Sequence, residues 1–236
     1  MEPENRSIIW KLNDEILIIS ILIIVTLTTL LLTIITNIFV LSFIFYPATI
    51  LPIFYLNRRK YNMNFKLSLI SLGFINPSKY TEFKSFFLNS IYPYLLALSY
   101  WVIGLLFVGI WYYFINSFSI NLFYPPAIEN SMPKISSKSF FIFCTVAILI
   151  APISEEILFR GFLLNKFHSK YGSKKSILIT SVIFALFHMH LGAIIPVFIL
   201  GMSIGWIKIK TRSLLPCIYI HIIQNSLAII LTITNI

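Results

Sequence analysis

The chain has 236 residues, a mean hydropathy of +0.89, 58% hydrophobic residues and 11% charged ones. Soluble domains carry roughly 25% charged residues, so a water-soluble globule, a disordered chain and a nucleic-acid-binding module are excluded and a membrane protein is indicated. The formal charge of +10 sits in short basic clusters between apolar runs, the signature of cytoplasmic loops beside anionic lipid heads rather than of a nucleic-acid groove.

In chain order, Met1 to Glu15 holds Glu2, Glu4, Asp14 and Glu15 against Arg6 and Lys11, which does not suit a cleaved signal peptide. A spanning helix needs about 20 mostly apolar residues. Ile16 to Leu56 carries no charge and is long enough for two spans meeting near Thr36-Asn37. Tyr61 to Asn89 is too polar to span. With Leu67, Leu69, Ile70, Phe83, Phe86 and Phe87 it reads either as an amphipathic stretch on the cytoplasmic membrane surface or as a loop leading into the next span. The third run is Ile91 to Ile115, and the fourth runs from Phe140 to about Leu164 through a polar interruption. Ser176 to Leu191, Ala193 to Ile207 and Leu214 to Ile236 complete about seven transmembrane helices. No internal repeat appears. The expected fold is therefore all-α, a polytopic membrane helix bundle forming one domain over residues 1–236.

Charge placement sets the orientation. With the N-terminus in the cytoplasm, the loops after spans two, four and six face the same side. Those loops hold Arg58, Arg59 and Lys60, then Lys166, Lys170, Lys174 and Lys175, then Lys208, Lys210 and Arg212, as the positive-inside rule requires.

Ionisable groups inside a bilayer are costly and are functional-site candidates by default. Removing the loops leaves Glu155, Glu156, Arg160, His188, His190, His221 and the polar Asn225. Glu156 and Arg160 are four apart, neighbours on one helix face and able to pair. Phe184 and His188 share a face, as do His221 and Asn225. His190 points elsewhere and reads as interfacial. Counted from the nearest cytoplasmic base, Glu155, His188, His221 and Asn225 lie roughly 14–20 Å deep at about 1.5 Å per residue. Three helices thus bring a carboxylate, two imidazoles and a carboxamide to one depth, and a polar intramembrane cavity is the economical explanation. A carboxylate and an imidazole can hold a water and take its proton, while an imidazole and an amide N–H can stabilise an oxyanion. Together they suffice to hydrolyse an amide bond.

Other chemistries are open to the same residues. Two histidines and a glutamate could bind zinc, but an HExxH helix is absent, and no metal or other cofactor is expected. Cys217 shares a face with His221, which permits a thiol nucleophile, although a small buried thiol accounts for it equally simply. Cys144 and Cys217, the only cysteines, lie in apolar runs and offer no disulfide framework. A proton-coupled transporter also buries Glu with His, but paired broken helices in two halves are missing.

Glu155-Glu156-Ile-Leu-Phe-Arg160-Gly161, then Phe184-Ala-Leu-Phe-His188, then His221-Ile-Ile-Gln-Asn225 resemble, in order and spacing, the three motifs of the CPBP family. These intramembrane proteases include the CAAX prenyl endopeptidases and the bacteriocin-processing or self-immunity proteins. The resemblance covers residues 140–236, the expected catalytic core. It implies a glutamate-dependent endopeptidase of the cell membrane, acting on a membrane-associated peptide or protein of CAAX-like or bacteriocin-leader type. Glu155 is then the base that activates water, His188 helps bind that water, and His221 with Asn225 forms the oxyanion hole. Glu156, Arg160 and Phe184 support them. The same resemblance allows a non-catalytic immunity or scaffold protein that binds a peptide without cutting it.

Overall fold

The computed structural model describes residues 20, 42–74, 91–124, 137–188 and 190–233, and these are helical without strands. The expected first span, its turn near Asn37, the stretch 75–90 and most of the loop before Ser137 lie outside the described residues.

Helix α1 (Ser42–Arg59) is apolar until Arg58 and Arg59 close its last turn, where cations meet the negative end of the helix dipole. A short turn leads into α2 (Phe65–Leu72). Asn64 caps it by accepting from the Leu67 N–H at 2.9 Å, and Gly73 ends it in the left-handed region with φ 93°, a conformation that glycine adopts without steric cost. The tail of the amphipathic stretch expected from the sequence falls among the undescribed residues; its head is this capped helix.

Helix α3 (Tyr92–Ser117) contains no charge in 26 residues and starts on a proline in its first turn, where a missing N–H costs nothing. Next comes a long helical run in five parts: α4 (Ser137–Thr145), a π-helical stretch (Val146–Ile150), α5 (Ala151–Glu156), a second π-helical stretch (Ile157–Leu163), and α6 (Leu164–Phe187). From Phe140 to Phe187 it is 48 residues, roughly 72 Å if straight against a hydrocarbon core of about 30 Å. It is not straight. Gly172 interrupts α6 with φ 72° and ψ 176°, and residues on either side of it meet. The Phe159 ring lies 4.9 Å from Phe184 and 5.8 Å from Phe187. The chain therefore doubles back at one glycine inside the second lysine cluster, and the two spans expected on either side of that cluster form a helical hairpin.

His190 caps α7 (Leu191–Thr211), its Nδ1 accepting from the Gly192 N–H at 3.2 Å. Lys208 and Lys210 close the last turn, and α8 (Leu215–Ile233) follows after Arg212 turns the chain with φ 56°. The runs expected at 193–207 and 214–236 correspond to these two helices. Among the described residues three helical runs, Tyr92–Ser117, Phe140–Phe187 and Leu191–Thr211, are long and apolar enough to cross a membrane.

One core unites Ile53 and Leu56 of α1, Leu72 of α2, Phe159 and Phe162 of the second π-helical stretch, Phe184 of α6 and Ile218 of α8. A second joins Ala97 of α3 to Ile204 and Ile207 of α7 and Cys217 and Ile220 of α8. Helices α6 and α7 approach closely at small residues, the usual device where lipid offers no hydrophobic drive between helices. A Cβ on Gly201 would stand 3.1 Å from Ser181 Cβ and 3.2 Å from its Cα. Because one of those atoms is backbone, Gly201→Ala should part the helices and lower stability by about 1–3 kcal/mol, measurable as unfolding in mixed detergent.

Candidate functional site

The sequence brings two carboxylates to the end of α5. Glu155 keeps its side chain 19% exposed, whereas Glu156, one residue later and about 100° around the helix, is fully buried. A buried carboxylate needs partners, and Glu156 Oε1 has two. It accepts from Arg160 Nη1 at 3.1 Å, the four-residue pair expected from the sequence, and it lies 2.8 Å from His221 Nδ1 of α8. Among the described residues its Oε2 has no hydrogen-bond partner. Arg160 is itself buried; its Nη2 donates to the Gly201 carbonyl of α7 at 3.3 Å, and its guanidinium stands 4.4 Å from the centre of the Phe184 ring.

His221 links the pair to Glu155. While Nδ1 faces Glu156, Nε2 faces Glu155 Oε2 at 3.7 Å, too far for a direct hydrogen bond. An ionised Glu156 accepts the Nδ1–H and so fixes the ring's orientation, the usual way a carboxylate sets an imidazole. Nε2 is then an acceptor in the neutral ring and a donor only in the doubly protonated one.

Phe184 gathers the rest. Its buried ring meets His188 at 4.9 Å and His221 at 5.8 Å, both edge to face. His188 ends α6 and keeps its Nδ1 2.9 Å from the Phe184 carbonyl, a contact that does not use Nε2. Among the described residues no hydrogen bond joins His188 to Glu155 or His221; the two imidazoles share a wall rather than a bond.

Asn225 is one turn further along α8 and is held from an unexpected direction: its Nδ2 donates to the Ala147 carbonyl at 2.8 Å. In an α-helix that carbonyl would accept from the Ala151 N–H, but the π-helical register gives this N–H to Val146 instead. In π register the donor would be residue 152, and Pro152 has no N–H. The Ala147 carbonyl is therefore orphaned inside a span, where water does not replace the lost bond, and the Asn225 amide fills the vacancy. The amide carries a second N–H.

Residues 137–227 match the model of the family described as Rce1-like, type II CAAX prenyl endopeptidase. This stretch is similar to that family. All seven residues singled out in the sequence, from Glu155 to Asn225, lie in the matched stretch, while α1, α2 and α3 precede it. No curated protein and no solved structure matches the chain.

Several contributors escaped sequence reasoning. The Ala147 and Gly201 carbonyls are invisible as motifs. Pro152 was the available signal for the first, since a proline within a span always leaves a carbonyl to be satisfied. Cys217 is buried with its Sγ near the Ile204 and Ser213 carbonyls, a packed thiol.

Proposed function

We propose that the chain is an intramembrane glutamate-dependent endopeptidase that cleaves a membrane-associated peptide or protein of CAAX-like or bacteriocin-leader type. The observation that carries this reading is His221 held between two carboxylates, bonded to Glu156 and facing Glu155. The Rce1-like match over the same residues supports it. Glu155, the more open carboxylate, takes a proton from water beside His188. The hydroxide attacks the scissile carbonyl, and the negative charge that develops accepts hydrogen bonds from the Nε2–H of a doubly protonated His221, whose Nδ1–H stays on Glu156, and from the second N–H of Asn225. Glu155 then returns its proton to the leaving amine as the C–N bond breaks. Glu156 and Arg160 hold His221 in register, and Phe184 spaces the two imidazoles.

The catalytic core occupies residues 140–236 of a single domain in the cell membrane. About seven helices surround a polar cavity, and the N-terminus lies on the cytoplasmic side. The test is hydrolysis by the purified full chain in lipid vesicles, offered a prenylated CAAX peptide and a leader-type peptide, with mass spectrometry of the products. Asn225→Ala should slow hydrolysis by about 10²–10³-fold, the cost of one oxyanion donor elsewhere. An Asn225→Ala protein as fast as the parent removes the amide from the mechanism, and cleavage of neither peptide class rejects the substrate assignment.

A further inference from the structure

We infer that α2, with the last turn of α1, is a preformed binding surface for anionic phospholipid headgroups. The surface is basic. From Ser42 to Phe74 the chain holds Arg58, Arg59, Lys60 and Lys66 and no Asp or Glu. Arg58, Arg59 and Lys66 are exposed. Interleaved with them are large apolar side chains that face outward: Tyr55 is 62% exposed, Phe65 69% and Leu67 47%, with Ile70 beside them. Lys66, Leu67 and Ile70 fall within about 100° of arc on α2, opposite the buried Ser68 and Leu72. An apolar face threaded with lysine suits the boundary between headgroups and acyl chains, since the lysine stem can lie along the apolar surface while its ammonium reaches the phosphates. A second copy of the same surface would repel this one.

The helix is fixed in place before lipid arrives. Its two caps hold its ends. The Lys208 ammonium donates to the Leu72 carbonyl at 3.2 Å, and the Leu214 N–H donates to the Gly73 carbonyl at 2.8 Å. Leu72 packs on Gly161, where an added Cβ would lie 3.0 Å from its Cδ2. These ties join α2 to the π-helical stretch after Glu156 and to the turn before α8. α2 therefore binds without first folding, unlike most interfacial segments, and the inference stands whether or not the protein is a peptidase.

The full chain is taken into mixed phosphatidylcholine–phosphatidylglycerol vesicles, released intact, and its retained lipids are counted by native mass spectrometry. Each basic side chain near an anionic surface is worth about a fivefold change in partition. Arg58→Gln, Arg59→Gln and Lys66→Gln together, all at exposed positions, should sharply reduce the phosphatidylglycerol preference of the parent, the remaining basic clusters keeping the rest. In parallel, a photo-crosslinking residue in place of Leu67 should attach to lipid. Equal retention of the two lipids by the parent, or an unchanged preference in the triple variant, overturns the inference. So does crosslinking of position 67 to protein, whether a second copy or another chain.

Discussion

Glu155→Gln should abolish peptide cleavage while the protein remains folded and still binds its substrate. Glutamine preserves the shape and the hydrogen-bonding reach of the side chain but cannot take a proton from water. Loss of a positioned general base removes about 10²–10⁴-fold of rate. Folding should survive because Glu155 is partly exposed and its one described ionic contact, to His221 Nε2, is 3.7 Å long. The measurement is turnover of a processed peptide by parent and variant in the same vesicles, with substrate retention as the control for binding. A variant that cleaves normally sinks the glutamate mechanism. If the variant leaves the protein's effect in cells intact although cleavage has stopped, the chain works as a binder.

Glu156 should behave in the opposite way. Glu156→Ala leaves the buried Arg160 guanidinium without its carboxylate and removes the acceptor for His221 Nδ1. Breaking a buried pair from one side costs about 3–5 kcal/mol, so unfolding in mixed detergent should shift far more for this substitution than for Glu155→Gln. Glu156→Gln should be milder. Its oxygen can keep both contacts of Oε1, and its new N–H₂ occupies the place of Oε2, which has no hydrogen bond to lose among the described residues. Replacing the pair together, Glu156→Leu with Arg160→Met, should return most of the stability without restoring activity, because His221 would still lack its anchor. Equal stability of Glu156→Ala and the parent would show that the pair is dispensable.

How far these residues could be read in advance depends on which regularity they obey. Glu156 with Arg160 and Phe184 with His188 each lie one helical turn apart, and both pairs meet. The basic clusters marked the ends of α1, of the α6 hairpin and of α7, because charge cannot stay in hydrocarbon. Two features obey no period. The reversal at Gly172 occupies one residue, so it leaves no loop-length trace between Lys166 and Lys175. The tight bond of His221 goes to Glu156 rather than to Glu155, a choice made by how α8 packs across α5 and not by spacing within either. The π-helical turns are hidden for a related reason. Counting by 3.6 residues assumes the register they break, so the partner of Asn225 could not be deduced from its own helix.

That partner has a consequence for anyone who would move this chemistry elsewhere. Glu155, His188, His221 and Asn225 can be copied onto regular helices as four side chains. On such a scaffold every carbonyl facing Asn225 would already own its N–H, and the amide would swing free. What orients Asn225 here is a donor missing from another helix, created jointly by Pro152 and the widened turn at Val146–Ile150. A transplant that omits the proline loses a part that no inventory of functional groups contains. For the same reason, Pro152 and Asn225 should be treated in engineering as a single unit, changed together or left alone.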